Sequence, residues 1–116
     1  MDTYGIIGFP LGHSFSKRYF TEKFRQENID AEYLNFEIRD ISEIKMLLSK
    51  HTYLKGFNVT IPYKQSILPF LDDISEEARK IGAVNCVKVG WQDSRPRLIG
   101  YNTDVYGFKN ALLRFI

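Results

Sequence analysis

Stretches with a strand's hydrophobic period alternate along this chain with stretches that carry a helix's period, and this alternation is what most constrains its fold. Tyr4 to Phe9 is a short apolar run ending at Pro10-Leu11-Gly12, which reads as a strand buried on both faces and followed by a turn. From Ser14 or Ser16 onward, Phe15, Tyr19, Phe20 and Phe24 recur at helical spacing. Leu34, Phe36 and Ile38 alternate with polar residues as a second strand. Asp40 then offers an N-cap, with Glu43 at the capping-box position and Ile41, Ile44, Leu47 and Leu48 as the apolar stripe of a short helix to about Lys50. Leu54 to Ile61 reads as a third strand, stopped by Pro62.

The second half continues the alternation. Asp73-Ile-Ser-Glu76 repeats the tetrapeptide Asp40-Ile-Ser-Glu43, which predicts the same capping arrangement before a short helix ending near Gly82. Ala83 to Val89 and Arg95 to Tyr101 read as two strands joined through Gly90-Trp91-Gln92-Asp93-Ser94 as a hairpin. A last helix begins near Asn102-Thr103-Asp104 and meets no stop signal by Ile116, so the chain reads as cut short. The predicted fold class is α/β: a three-layer sandwich around a mostly parallel sheet, with one antiparallel hairpin strand.

Composition narrows the function. At 116 residues with 44% hydrophobic and 15% aromatic residues, the chain has material for one ordered domain. Its net charge of +2 comes from scattered basic residues, which gives no basis for a nucleic-acid or membrane partner. A lone Cys86 excludes an internal disulfide, and with His13 and His51 it forms no metal-ligand spacing. Met1-Asp2-Thr3-Tyr4 lacks the regions of a signal peptide, so a cytoplasmic location is expected.

Ligands of open α/β sheets bind beyond the carboxyl ends of the parallel strands. The loop Pro10 to Ser16 and the turn Thr60 to Lys64 belong there. If the second hairpin strand runs with the parallel set, Asn85 and Asn102-Thr103-Asp104 join them. A common cleft would then hold Ser14, Ser16, Asn58, Thr60, Lys64, Asn85 and Asp104. Each residue also has a plain reading. Ser14 and Ser16 suit helix capping, Lys64 a solvated surface and Asp104 a first helical turn, while Asn58, Thr60 and Asn85 suit bonding to nearby backbone. Cys86 reads as a small buried hydrophobe, and Trp91 as a packing or surface aromatic in the hairpin loop.

Four segments together carry a resemblance: Gly8-Phe-Pro-Leu-Gly-His-Ser-Phe-Ser16, Gly56-Phe-Asn-Val-Thr-Ile-Pro-Tyr-Lys64, Gly82-Ala-Val-Asn85 and Gly100-Tyr-Asn-Thr-Asp-Val-Tyr-Gly107. In this order and spacing they resemble the N-terminal, substrate-binding domain of the shikimate dehydrogenase family, whose fold is the aminoacid dehydrogenase-like N-terminal domain. The resemblance implies NADPH-dependent, reversible reduction of 3-dehydroshikimate to shikimate, a step of chorismate and aromatic amino acid biosynthesis. It implies that Ser14 and Ser16 hold the substrate carboxylate and that Thr60 and Asn85 bind its hydroxyl or ring oxygens. Lys64 and Asp104 become the catalytic pair, with Lys64 as proton donor and electrostatic clamp and Asp104 orienting it. Glu76 falls where the family approaches the cofactor.

The chain departs from the family's pattern at Lys17-Arg18, where Pro usually follows the second serine, and at Cys86, where Thr is usual. It contains no glycine-rich dinucleotide fingerprint. Residues 1–102 are therefore expected to be the substrate-binding domain and 103–116 the start of a helix connecting to an absent NADP-binding Rossmann domain. The isolated chain is expected to be inactive, and self-association is expected through apolar surface that the missing parts would cover. Two alternatives stay open: a quinate- or aminoshikimate-preferring relative, and a non-catalytic module that binds small hydroxylated acids.

Overall fold

The computed structural model describes residues 1–12 and 15–103. In chain order the elements are β1 (Asp2–Gly8), α1 (Phe15–Gln26), β2 (Ala31–Glu37), α2 (Ile44–Lys50), β3 (Leu54–Val59), β4 (Asp73–Ile74), α3 (Glu76–Ile81), β5 (Cys86–Gln92) and β6 (Arg95–Tyr101). Short 3-10 turns at Ile41–Glu43 and Leu68–Phe70 complete them.

One six-stranded sheet has the order β2-β1-β3-β5-β6-β4. β1 pairs in parallel with β2 and β3, and β6 with β4, while β5 runs antiparallel to both of its neighbours. The second hairpin strand therefore runs with the parallel set. The ends of β1, β3 and β6 and the beginning of β5 share one edge, as the cleft requires.

The two-residue period of the strands sorts the core into two layers. Tyr4 and Ile6 point to one face and pack with Phe20, Phe24, Tyr33 and Cys86 beneath α1. Ile7 points to the other, with Phe36, Leu47, Leu48, Phe57 and Val59 beneath α2. Both faces of β1 are covered, which is why its sequence is a continuous apolar run rather than an alternation. Phe20 and Phe24 are almost wholly buried, each contributing about 2–3 kcal/mol of apolar transfer to the docking of α1.

Several local expectations change. The first Asp-Ile-Ser-Glu forms the capping box as read: Asp40 accepts from Ser42 N–H and Glu43 accepts from Asp40 N–H at 2.9 Å. That box opens a 3-10 turn leading into α2. The second copy does otherwise. Asp73 and Ile74 pair with Ile99 and Gly100 as β4, and Ser75 is the cap of α3, accepting from Ala78 N–H at 3.2 Å. Pairing with β6 recruits the residues that a local reading gives to the cap. Gly82 ends α3 in the left-handed conformation (φ 77°), as its position after the helix predicts.

The hairpin is also tighter than its five-residue reading. Asp93 and Ser94 alone form the turn, both with positive φ (52° and 65°), the pattern of a two-residue type I′ loop. Trp91 thus belongs to β5 and donates its indole N–H to the Leu54 carbonyl at 2.7 Å. Ser16 lies within the first turn of α1 rather than before it. Among the described residues no helix is long and apolar enough to cross a membrane. Most of the helix expected over 103–116 lies outside the described residues.

Candidate functional site

The upper part of the site is built by backbone bonds between the strand ends. Thr60 N–H donates to the Ile7 carbonyl at 3.0 Å, and Phe9 N–H to the Ile61 carbonyl at 3.1 Å, tying the turn after β3 to the loop after β1. Both turns contain a cis proline, at Phe9-Pro10 and Ile61-Pro62. On the other side, Val59 N–H donates to the Asn85 carbonyl at 2.9 Å, and Val84 N–H to the Lys64 carbonyl at 2.8 Å. Thr60, Lys64 and Asn85 are therefore held around one short perimeter. Thr60 and Lys64 are half-buried, and Asn85 is buried.

Asn85 has its carboxamide fixed. Its Oδ1 accepts from both the N–H and the Oγ1–H of Thr103, each at 3.2 Å. With the oxygen engaged, the Nδ2 group is what this side chain can offer to a ligand, and it can only donate. The plain reading of Asn85, bonding to nearby backbone, thus holds for one end of the amide and leaves the other end for chemistry.

Below this perimeter lies a buried polar layer against α1. Asn58 is wholly buried, and its Nδ2 donates to the Tyr33 hydroxyl at 2.9 Å rather than to neighbouring backbone. Ser16, 8% exposed, lies beside the same phenol. The Tyr33 ring is 2% exposed and stacks on Phe20 at 4.8 Å between centroids. Burial pushes the Tyr33 hydroxyl well above its ordinary pKa, and the neighbouring Asn58 and Ser16 oppose this only in part. Among the described residues the Oδ1 of Asn58 has no hydrogen-bond partner.

Tyr33 is the residue that sequence reasoning missed. In β2 the apolar set Leu34, Phe36 and Ile38 claims one face, which assigns Tyr33 to the outer, polar face with Asn35 and Glu37. The available signal was the three-layer expectation itself: if both faces of the sheet are covered, a tyrosine on the opposite parity lies under a helix.

The predicted residues therefore divide. Asn58 bonds to Tyr33 with Ser16 beside the same phenol, and Thr60, Lys64 and Asn85 gather at the turn above them. Glu76 is not brought in: it is exposed at the start of α3 beyond β4, with Lys80 at 3.5 Å. Ser14, Asp104 and His13 lie outside the described residues. Such an arrangement is rich in hydroxyl and amide donors, with Lys64 as its charged group, and it suits an anionic, polyhydroxylated small molecule.

The family model for the shikimate dehydrogenase substrate binding domain matches residues 6–87, a span that includes Ser16, Tyr33, Asn58, Thr60, Lys64 and Asn85. The chain is 44% identical over 113 residues to the shikimate dehydrogenase (NADP(+)) of Clostridium beijerinckii, covering 97% of this chain and 40% of that protein. Among solved structures it is similar to shikimate dehydrogenase 1 from Peptoclostridium difficile, at 38% identity and a TM-score of 0.79, covering 98% of this chain and 41% of that one. It is also similar to shikimate 5-dehydrogenase from Thermus thermophilus in complex with shikimate, at 30% identity and a TM-score of 0.78, covering 98% and 42%. The chain spans about 40% of the length of the curated relatives it matches.

Proposed function

The chain belongs to the shikimate dehydrogenase substrate-binding domain family, and from that premise we propose that its sheet-edge site binds shikimate and 3-dehydroshikimate for their NADP-dependent interconversion. One observation carries this reading: Thr60, Lys64 and Asn85, with the buried Ser16 and Asn58 beside them, converge at a single strand edge as a cluster dominated by donors. A ligand with a carboxylate and several hydroxyls answers such a cluster.

In this proposal Ser16, with Ser14, receives the carboxylate near the first turn of α1, where free N–H groups also favour an anion. Thr60 and the Nδ2 group of Asn85 hold ring hydroxyls, and Asn58 offers its unpartnered oxygen to a donor. Lys64 gives a proton to the oxygen of the carbonyl undergoing reduction and takes it back in the reverse direction, with Asp104 orienting it.

When bound, NADP supplies the hydride. The described residues fit the substrate but not the cofactor's phosphates, since the sequence carries no glycine-rich phosphate-binding turn. Glu76 can accept from the carboxamide of a nicotinamide ring and would repel a phosphate. We place the activity in the cytoplasm, a reading with which a buried Cys86 outside any disulfide is consistent.

Titration of the 116-residue chain with shikimate, followed by amide and side-chain NMR, tests the substrate assignment. Shifts are expected at Ser16, Thr60, Lys64 and Asn85, with none along α2 at Met46 or His51. Perturbation confined to the α2 side would remove the assignment, and tighter binding of quinate would transfer it to the quinate-type relative. In an enzyme carrying this domain, Lys64→Ala is expected to lower kcat by about 10²–10⁴-fold with a much smaller change in KM.

A further inference from the structure

We infer that Thr103 and Asn85 together make one corner of the site selective for a ring hydroxyl over a ring amine: Thr103 orients the Asn85 carboxamide so that its NH2 end meets the ligand. This rests on the substrate reading above and narrows it to hydroxylated, rather than aminated, ring acids.

The orientation of the amide follows from its partner. A backbone N–H can only donate, so the atom that faces Thr103 N–H at 3.2 Å must be the oxygen of Asn85 and not its nitrogen. The Thr103 hydroxyl donates to the same oxygen at 3.2 Å and fills its second lone pair. Asn85 and Thr103 are buried, at 4% and 6% exposure. The backbone around them is tied as well: Asn85 N–H donates to the Tyr101 carbonyl at 3.0 Å, and Asn102 Nδ2 to the Ala83 carbonyl at 3.1 Å. Turning the amide over would break a buried hydrogen bond and set one N–H donor against another.

At the other end of the amide a donor stands beside a donor. Val84 N–H bonds to the Lys64 carbonyl at 2.8 Å, which seats Lys64 next to Asn85, and a lysine ammonium likewise only donates. A ligand group in this corner therefore needs a lone pair. A hydroxyl or carbonyl oxygen has two; an ammonium has none and leaves both donors unmet. The refusal is local. Asn58, paired with Cys86 one step along the same strands, presents an oxygen without a partner among the described residues.

The test measures binding of shikimate and its three monoamino analogues, each with an amine in place of one ring hydroxyl, to the 116-residue chain near neutral pH, where such amines are protonated. One analogue is expected to bind at least about ten-fold more weakly than shikimate. Asn85→Asp keeps an oxygen for Thr103 and turns the other end of the side chain into an acceptor. It is expected to raise that analogue's affinity relative to shikimate by about ten-fold or more, and the other two by less than about three-fold. An equal rise for all three would mark a general charge effect and overturn the inference, as would unchanged ratios while shikimate still binds. No saturable shikimate binding by the unmodified chain would overturn the substrate reading and the inference together. A measurement on the unmodified chain guards against a variant that fails to fold. The Asn85 side-chain amide protons should shift with shikimate and show cross-relaxation to its ring protons, while the Thr103 amide proton exchanges slowly. Unmoved Asn85 signals, or a rapidly exchanging Thr103 amide, would also refute the assignment.

Discussion

At position 8 the absence of a side chain is what lets the site close. A Cβ there would lie 2.4 Å from the Thr60 methyl carbon and 2.9 Å from Leu11 Cδ2, too close for either to remain. Gly8→Ala is therefore expected to displace Thr60 and destabilise the fold by about 1–3 kcal/mol through overpacking. A lower urea midpoint at unchanged slope, together with altered Thr60 methyl shifts, would record both effects; an unchanged midpoint would show that the turn yields freely. Asn58 illustrates the opposite case, an oxygen left unmet at zero exposure. Such a group costs on the order of 1–3 kcal/mol, and a binding cleft is a place where a fold tolerates it, because a ligand can supply the donor.

Among the elements, the two Asp-Ile-Ser-Glu copies form a natural control. Asp40 caps through both halves of a capping box, so Asp40→Ala is expected to cost about 1 kcal/mol. Ser75→Ala should cost a similar amount, since Ser75 is the cap of α3. Asp73→Ala should cost less than about 0.5 kcal/mol, because among the described residues its side chain meets Ile74 N–H and a distant, exposed Arg97. Thermal or denaturant unfolding of the three variants checks the order. A large loss at Asp73 would mean that the first copy's chemistry also operates at the second.

For the whole molecule, buried tyrosines link stability to alkaline pH. Tyr33 and Tyr4 are both raised above the ordinary value of 10.0, chiefly by burial, with the Asp2 carboxylate adding to the effect at Tyr4. Above pH 10 the unfolded chain releases protons that the native chain retains. Stability is therefore fully present below that pH and falls as pH rises beyond it. Tyr33→Phe is expected to lower stability near neutrality, by stranding Asn58, yet to flatten the decline above pH 10. Melting temperatures of the two proteins between pH 8 and about pH 11 check this; parallel declines would show that Tyr33 does not contribute to the alkaline loss.

Much of this protein was written locally. The apolar run of β1, the alternation in β3, the capping box at Asp40 and the glycine ending α3 are decided by neighbours a few residues apart, and each can be read from the chain. Motif spacing likewise brought Thr60, Lys64 and Asn85 to one edge, because strand direction follows from short connections and a hairpin. Only the tertiary structure decided the rest. It gave Asp73 to a strand by pairing it with β6, and it turned a tyrosine on the nominally polar side of β2 into the centre of a buried network. It also engaged one end of Asn85 with Thr103, leaving the other end as a donor. These outcomes depend on partners that are distant in sequence. A residue's own period states which way it faces, but not what the fold will place against it.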